Sequence, residues 1–136
     1  MTFPVLIVED HARTSAVIGT LLQAVGFTAT EHVSNADQAL ARLKHGDMRL
    51  VLSDYHMRPM NGLQLLQRLR EQEHTADIPF VMVTADKDFA LMRTSAQAGI
   101  EMLVKPFKAD QLRQCLLRAI GRDGFEAAVA GGAARP

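Results

Sequence analysis

The stretch LVLSDYHMRPMNG, residues 50–62, decides how the rest of the chain is read. Leu50, Val51 and Leu52 are apolar without alternation, as in a strand covered on both faces, and Ser53 and Asp54 follow at once. A strand made for burial that ends on an acid delivers a carboxylate to the edge of a sheet. What that carboxylate meets there depends on the segments around it.

Short apolar runs at 5–8, 28–33, 50–53, 80–84 and 102–104 read as strands, with Val, Ile and Leu dominating most of them. Between them, apolar residues recur at helical spacing. Val17, Ile18, Leu21, Leu22 and Val25 form one stripe, Ala36, Ala39, Leu40 and Leu43 a second, and Leu65, Leu66 and Leu69 a third. A weaker stripe runs from Ala90, Leu91 and Met92 to Ala98, and Leu112, Cys115, Leu116, Ala119 and Ile120 make the last. Ser34 or Asn35 is placed to cap the second helix, and Gly121 to end the fifth. Five strand–helix units with right-handed crossovers predict an α/β fold, a doubly wound five-stranded parallel sheet between two helical layers. Residues 1–122 form the predicted domain. The segment DGFEAAVAGGAARP, 123–136, is rich in small residues, lacks a sustained apolar period and reads as a flexible tail or linker stub.

The chain of 136 residues fits one domain, and 15 basic against 15 acidic residues give no electrostatic case for nucleic acid or an anionic membrane. The N-terminal MTFPVLIVEDHA holds an apolar run of only Val5, Leu6, Ile7 and Val8 before Glu9, too short for a signal peptide or a membrane span, so the cytoplasm is the expected location. The single cysteine, Cys115, lies among leucines at helical spacing and reads as a buried core thiol.

In an open parallel sheet, ligands bind in the crevice outside the carboxyl ends of the strands. Glu9 and Asp10 follow the first strand, Asp54 the third, Thr84 ends the fourth and Lys105 follows the fifth. Three carboxylates at one edge repel by about 4 kcal/mol per pair at 4 Å with an effective dielectric of 20. Set against Lys105, they leave two negative charges, which one divalent cation cancels. Oxygen donors favour a hard ion, magnesium first and manganese as the alternative. Acids that merely cap the following helix would explain one such strand end, but not four that converge. The chemistry that fits is phosphoryl transfer to a carboxylate, with Asp54 as nucleophile and Thr84 and Lys105 each contacting a phosphate oxygen. His11 and His56 raise zinc or manganese as another set, but neither has a helical i, i+4 partner or a fixed metal spacing. His32, His45 and His74 are expected on exposed helix ends and loops.

Together LIVED, LVLSDYHMRPMNG, FVMVTA and LVKPF resemble the motifs of response-regulator receiver domains, the phosphorylatable half of two-component signalling, over about residues 4–121. The resemblance implies a flavodoxin-like strand order 2-1-3-4-5, with Asp54 as phosphoacceptor. It implies Asp10 as a direct magnesium ligand, Glu9 acting through water, and the backbone carbonyl of His56 as a further ligand. Thr84 and Lys105 would hold the phosphoryl group, and Lys105–Pro106 would be a cis peptide. The implied partners are a sensor histidine kinase or phosphotransfer protein and a downstream protein target, with a homodimer left open. The responding surface would be the fourth helix, fifth strand and fifth helix, about residues 87–122. The implied activity is self-phosphorylation and autodephosphorylation only, in a stand-alone receiver; the alternative is a receiver excised from a longer regulator or hybrid kinase.

The chain departs from the family at three places. Met102 stands where most receivers carry the aromatic switch residue, so the switch would couple Thr84 to a thioether. Pro59 comes one place later than usual. His56 and Asp86, each two residues past a site residue, stand where the family tunes the lifetime of the phosphorylated state. Two other classes fit less well. An aspartate-nucleophile phosphatase needs a second acid two residues past the nucleophile, where this chain has His56. A mononucleotide binder needs a glycine-rich loop after the first strand, where this chain has EDHARTS.

Overall fold

The computed structural model describes residues 3–85 and 89–133. In chain order the elements are β1 (Val5–Val8), α1 (Ala12–Val25), β2 (Thr30–Val33), α2 (Ala36–Leu43), β3 (Leu50–Asp54) and α3 (Gly62–Glu71). A short 3-10 turn (Glu73–Thr75) leads to β4 (Phe80–Thr84), α4 (Phe89–Gln97), β5 (Glu101–Val104) and α5 (Ala109–Ala133). The strands pair in parallel in the order β2-β1-β3-β4-β5, as expected. β2 begins at Thr30 rather than residue 28, β3 runs one residue further to include Asp54, and β5 begins at Glu101. None of the helices among the described residues is long and apolar enough to cross a membrane.

Successive side chains on a strand point to opposite faces. Here that alternation divides the core into two layers. Val5, Ile7, Leu50, Leu52, Val81, Val83 and Leu103 pack with Ile18 and Leu22 of α1 and Leu112, Cys115 and Leu116 of α5. Leu6, Val8, Val51, Phe80 and Met82 face the other way, against Ala36, Ala39 and Leu43 of α2 and Leu65, Leu66 and Leu69 of α3. Cys115 is fully buried, and burial pushes its thiol up to about 12, so it is an inert core group. Val17, placed in the α1 stripe by its spacing, is instead 54% exposed; Ser15 and Gly19 take the buried positions on that face.

Local chemistry sets the helix ends. Asn35 caps α2 by accepting from the Gln38 backbone N–H at 2.8 Å. At α3 the Asn61 side chain accepts from the Gln64 N–H and the Gln64 side chain accepts from the Asn61 N–H, both at 2.8 Å, a reciprocal capping box. Gly26 ends α1 at φ 119°, and its N–H donates to the carbonyls of Leu22 and Gln23. His32 lies in the middle of β2 rather than in a loop or helix end, and its Nδ1 is hydrogen-bonded to Ser15 Oγ.

Gly121 breaks α5, at φ 78° and ψ 165°, but the chain does not stop there. It turns and resumes a helical course to Ala133, with Phe125 5% and Ala128 3% exposed. Phe125 meets Phe27 edge-on at 5.6 Å, Phe27 meets Phe3 at 5.8 Å, and the Arg113 guanidinium lies 5.6 Å over the Phe125 ring. A Cβ on Gly26 would come within 3.0 Å of Val129, so the end of α1 is cut to receive this segment. The expected flexible tail is therefore corrected over 123–133: Phe125, Ala128 and Val129 stand at i, i+3 and i+4 and form a short apolar stripe that docks on the core. Residues 134–136 lie outside the described residues. If this docking holds the end of α5 in place, Phe125→Ala will lower the unfolding free energy by about 3 kcal/mol, read as a lower urea midpoint. A loose tail would leave the midpoint unchanged.

Candidate functional site

Strand register brings the site together. Val8 pairs with Ser53, Asp54 with Val83 and Thr84 with Val104. One step beyond Val8 puts Glu9 beside Asp54, and one step beyond Val104 puts Lys105 beside Thr84. Backbone bonds hold these ends in line: Glu9 N–H to the Val33 carbonyl at 3.0 Å, Tyr55 N–H to Val83 at 2.8 Å, and Lys105 N–H to Thr84 at 2.7 Å. The acceptor loop folds back onto the strand through the Gly62 N–H, which donates to the Tyr55 carbonyl at 2.9 Å. Only glycine fits there, because a Cβ would lie 2.6 Å from the Asp54 carbonyl oxygen and from Met82 Sδ. Met57, 6% exposed, anchors the loop in the core, while Tyr55 and His56 meet edge-on at 4.8 Å. Among the described residues two peptide bonds are cis: Lys105–Pro106, as the resemblance implied, and Arg58–Pro59, where proline comes one place late.

The carboxylates are not equivalent. The Glu9 side chain is fully buried, Asp54 is 4% exposed, and the Asp10 side chain is 39% exposed. Lys105 Nζ lies 3.4 Å from Glu9 Oε1 and 3.6 Å from Asp54 Oδ1. The second contact is an ion pair beyond hydrogen-bond reach, and Asp54 Oδ1 is left buried without a hydrogen-bond partner. On the other side of Glu9, Oε2 accepts from the His11 backbone N–H at 3.1 Å and lies 3.2 Å from His11 Nδ1.

Burial raises the Asp54 carboxyl above the ordinary aspartate value; Lys105 opposes that, Asp10 adds to it, and the His56 backbone N–H lowers it. Burial likewise raises Glu9, reinforced by the charge of Asp54 and opposed by His11 and Lys105. Two neighbouring acids are thus held where their charge is costly, and the lysine only partly offsets it. A buried carboxylate oxygen without a donor, beside further carboxylates, is a donor set suited to a hard divalent cation.

Glu9, Asp10, Asp54, Thr84 and Lys105 all arrive at this one edge, as their places in the sequence predict. Thr84 is fully buried at the end of β4. Met102 does not reach the edge. It sits half-buried on β5 opposite Met82 and packs in the α2–α3 layer, on the sheet face that Thr84 shares. Asp86 lies outside the described residues. His11 and His56 do not act as a pair. Glu9, Asp10 and His11 place ligand atoms within 4.8 Å of one another, and His56 is not in that group. His11 is the residue that spacing arguments undervalued; its signal was its position immediately after the acid pair.

The residue range 5–117 matches the family model for the response regulator receiver domain. Chemotaxis protein CheY-3 of Vibrio cholerae is 34% identical over 113 residues, covering 82% of this chain and 87% of the relative. Chemotaxis protein CheY of Pseudomonas aeruginosa is 34% identical over 111 residues, 81% of this chain and 90% of its own. Among solved structures, the receiver domain of a sensor histidine kinase from Pseudomonas aeruginosa, with a magnesium ion coordinated in its active-site cleft, superposes at TM-score 0.78. It is 27% identical, over 90% of this chain and all of that one. The chemotaxis response regulator CheY4 of Vibrio cholerae superposes at 0.77, with 25% identity over 88% of this chain and 99% of its own.

The strain at Asp54 has a sign that can be measured. An acid whose folded-state pKa is raised adds stability below its ordinary value, and that contribution is lost as pH rises through the raised value. In metal-free buffer at pH 7.5, Asp54→Asn will therefore melt a few degrees above wild type, and the gap will close as the pH falls toward the ordinary aspartate range. Thermal melts across that range check it; a wild type that melts higher at pH 7.5 would refute the assignment of strain to this carboxyl.

Proposed function

This chain belongs to the response regulator receiver domain family, and on that premise we propose that it is a phosphoacceptor switch charged at Asp54 with the help of a bound magnesium ion. The observation that carries the reading is the Asp54 carboxyl, 4% exposed, with one oxygen unpartnered and Lys105 3.6 Å away at the carboxyl edge of the sheet. Glu9, Asp10, Asp54 and the His56 carbonyl are the proposed ligands, and the ion would supply charge compensation for the acids and the incoming phosphoryl group.

The chain's own residues do the rest. An Asp54 carboxylate oxygen attacks the phosphorus of a phosphohistidine; the O–P bond forms, the N–P bond breaks, and its electron pair returns to the donor's imidazole. Lys105, already between Glu9 and Asp54, holds one phosphoryl oxygen, and the Thr84 hydroxyl holds another. The modification adds roughly 1.5 to 2 negative charges beside Thr84. Thr84 and Met102 lie on the same sheet face, so a shift of the threonine reaches the α4–β5 surface through Met82 and Met102. Met102 lines a groove there with Met92, Ser95 and Ile100.

The proposed donor is a sensor histidine kinase or phosphotransfer protein, and the output is contact of the α4, β5 and α5 face with a protein target. Its only proposed chemistry is its own phosphorylation and dephosphorylation, and the cytosol, where a free thiol stays reduced, is the proposed compartment. A chemotaxis-type role is supported by the likeness to the two chemotaxis relatives, each 34% identical. A receiver attached to a sensor kinase is the second reading, favoured by the likeness to the kinase receiver.

Incubated with acetyl phosphate, wild type will gain one phosphoryl group by intact mass only when magnesium is present, and Asp54→Asn will gain none. Equal labelling of the variant would overturn the assignment. The coupling through Met102 is checked by amide exchange with and without beryllofluoride. Met102→Ala will shrink the change in protection over 89–104, and an unaltered change would reduce the residue to filler.

A further inference from the structure

His11 stands at the N-cap of α1, but its side chain makes no cap bond. It turns instead to the acid pair, with Nδ1 3.0 Å from Asp10 Oδ1 and 3.2 Å from Glu9 Oε2. Two donors bound at right angles to one ion, each about 2.1 Å from it, are about 3.0 Å apart. The two distances from His11 Nδ1 are therefore those of neighbouring ligands on one cation, and the three ligand atoms lie within 4.8 Å of one another. The His11 side chain is 74% exposed and the Asp10 side chain 39%, so both are accessible to water.

A group of two acids and an imidazole is common on protein surfaces without a metal. The second observation here is independent of it. Asp54 Oδ1, on the neighbouring strand end, is buried without a hydrogen-bond donor, and the charge of Asp54 is felt at Glu9. A cation between them would meet oxygen donors on the Asp54 side and an oxygen–nitrogen set on the His11 side. Magnesium binds oxygen and keeps its waters, whereas first-row transition ions accept imidazole readily and gain affinity from it.

We propose that His11 Nδ1 is a nitrogen ligand of the cation site, and that the site therefore takes a first-row divalent ion such as cobalt or manganese in preference to magnesium. The proposal rests on the reading that Glu9, Asp10 and Asp54 hold a divalent cation. The neutral imidazole with its hydrogen on Nε2 presents the Nδ1 lone pair, and Glu9 and Asp10 supply the charge. The competing account is that His11 is only a counter-charge to the two acids, which a metal must displace.

The two accounts predict opposite changes. The lone tyrosine, Tyr55, follows Asp54 directly and the chain has no tryptophan, so its fluorescence reports the site. The metal-free full chain is titrated with cobalt chloride and with magnesium chloride, and the cobalt complex is followed by visible absorption. Wild type will bind cobalt about tenfold or more tightly than magnesium. His11→Ala will lose about tenfold in cobalt affinity with a shift of the visible band, and will keep magnesium affinity within about twofold. His11→Gln will show the same loss, and unchanged melting temperatures will show that both variants fold. An unchanged ratio of the two affinities, or a rise in both, would overturn the nitrogen ligand while leaving the magnesium site intact. Magnesium binding that is absent, or indifferent to Asp54→Asn, would instead remove the underlying reading and this one with it.

Discussion

Two buried carboxylates share one lysine, and the rest of the site follows from that. Glu9 and Asp54 are both taken out of water; Glu9 feels the charge of Asp54, and Asp54 feels that of Asp10. Lys105 lies within reach of both but hydrogen-bonds only Glu9. Burying like charges together is among the most costly things a fold can do, and pairing recovers only part of that cost. The molecule is therefore built with a deficit of positive charge at one point, and a cation that arrives there is stabilised. On the proposed reading, the same lysine, 3.6 Å from Asp54 Oδ1, is placed to meet the phosphoryl group that this carboxylate accepts.

Holding that deficit needs a rigid frame. The strand ends are kept in register by backbone bonds from Glu9, Tyr55 and Lys105 to their neighbours, and the acceptor loop is closed by Gly62, whose missing side chain lets it lie against the Asp54 carbonyl. The capping box of Asn61 and Gln64 starts α3 directly behind this contact. Loop, helix start and acid thus form one unit, in which displacing any part moves the carboxylate. Thr84 ends β4 on the sheet face that carries Met82, which lies opposite Met102 on β5.

Most of this was legible in the sequence because it rests on short-range rules. Unbroken Val, Ile and Leu runs identify central strands, and the residue after each run then marks the carboxyl edge, which is why Asp10, Asp54, Thr84 and Lys105 could be placed together from spacing alone. What escaped depends on tertiary contact. Val17 has the right helical spacing but faces water, because α1 turns Ser15 and Gly19 inward toward His32 on β2. The apolar triad Phe125, Ala128 and Val129 is too short to stand out among alanines and glycines; it becomes meaningful only beside Phe27 and the cut-back end of α1. His11 has no spacing signature, and its contacts come from the turn that aims its ring back at the two acids before it.

The two ends of the sheet divide the labour. At the carboxyl end the electrostatics oppose folding, since Glu9 and Asp54 would each be more comfortable in water. At the amino end, Phe3, Phe27 and Phe125 form an edge-on aromatic chain, and the segment beyond Gly121 seals it. Aromatic burial of this kind is worth a few kcal/mol, the order of what a strained acidic site gives up. Because the two features lie at opposite edges, the stabilising end need not touch the site to sustain it. On the proposed reading, a site that accepts charge is best supported from a distance, where tighter packing does not fix the acid in its unmodified state. The helical segment that the sequence presents as a tail is, on this view, what lets the carboxylate edge remain strained.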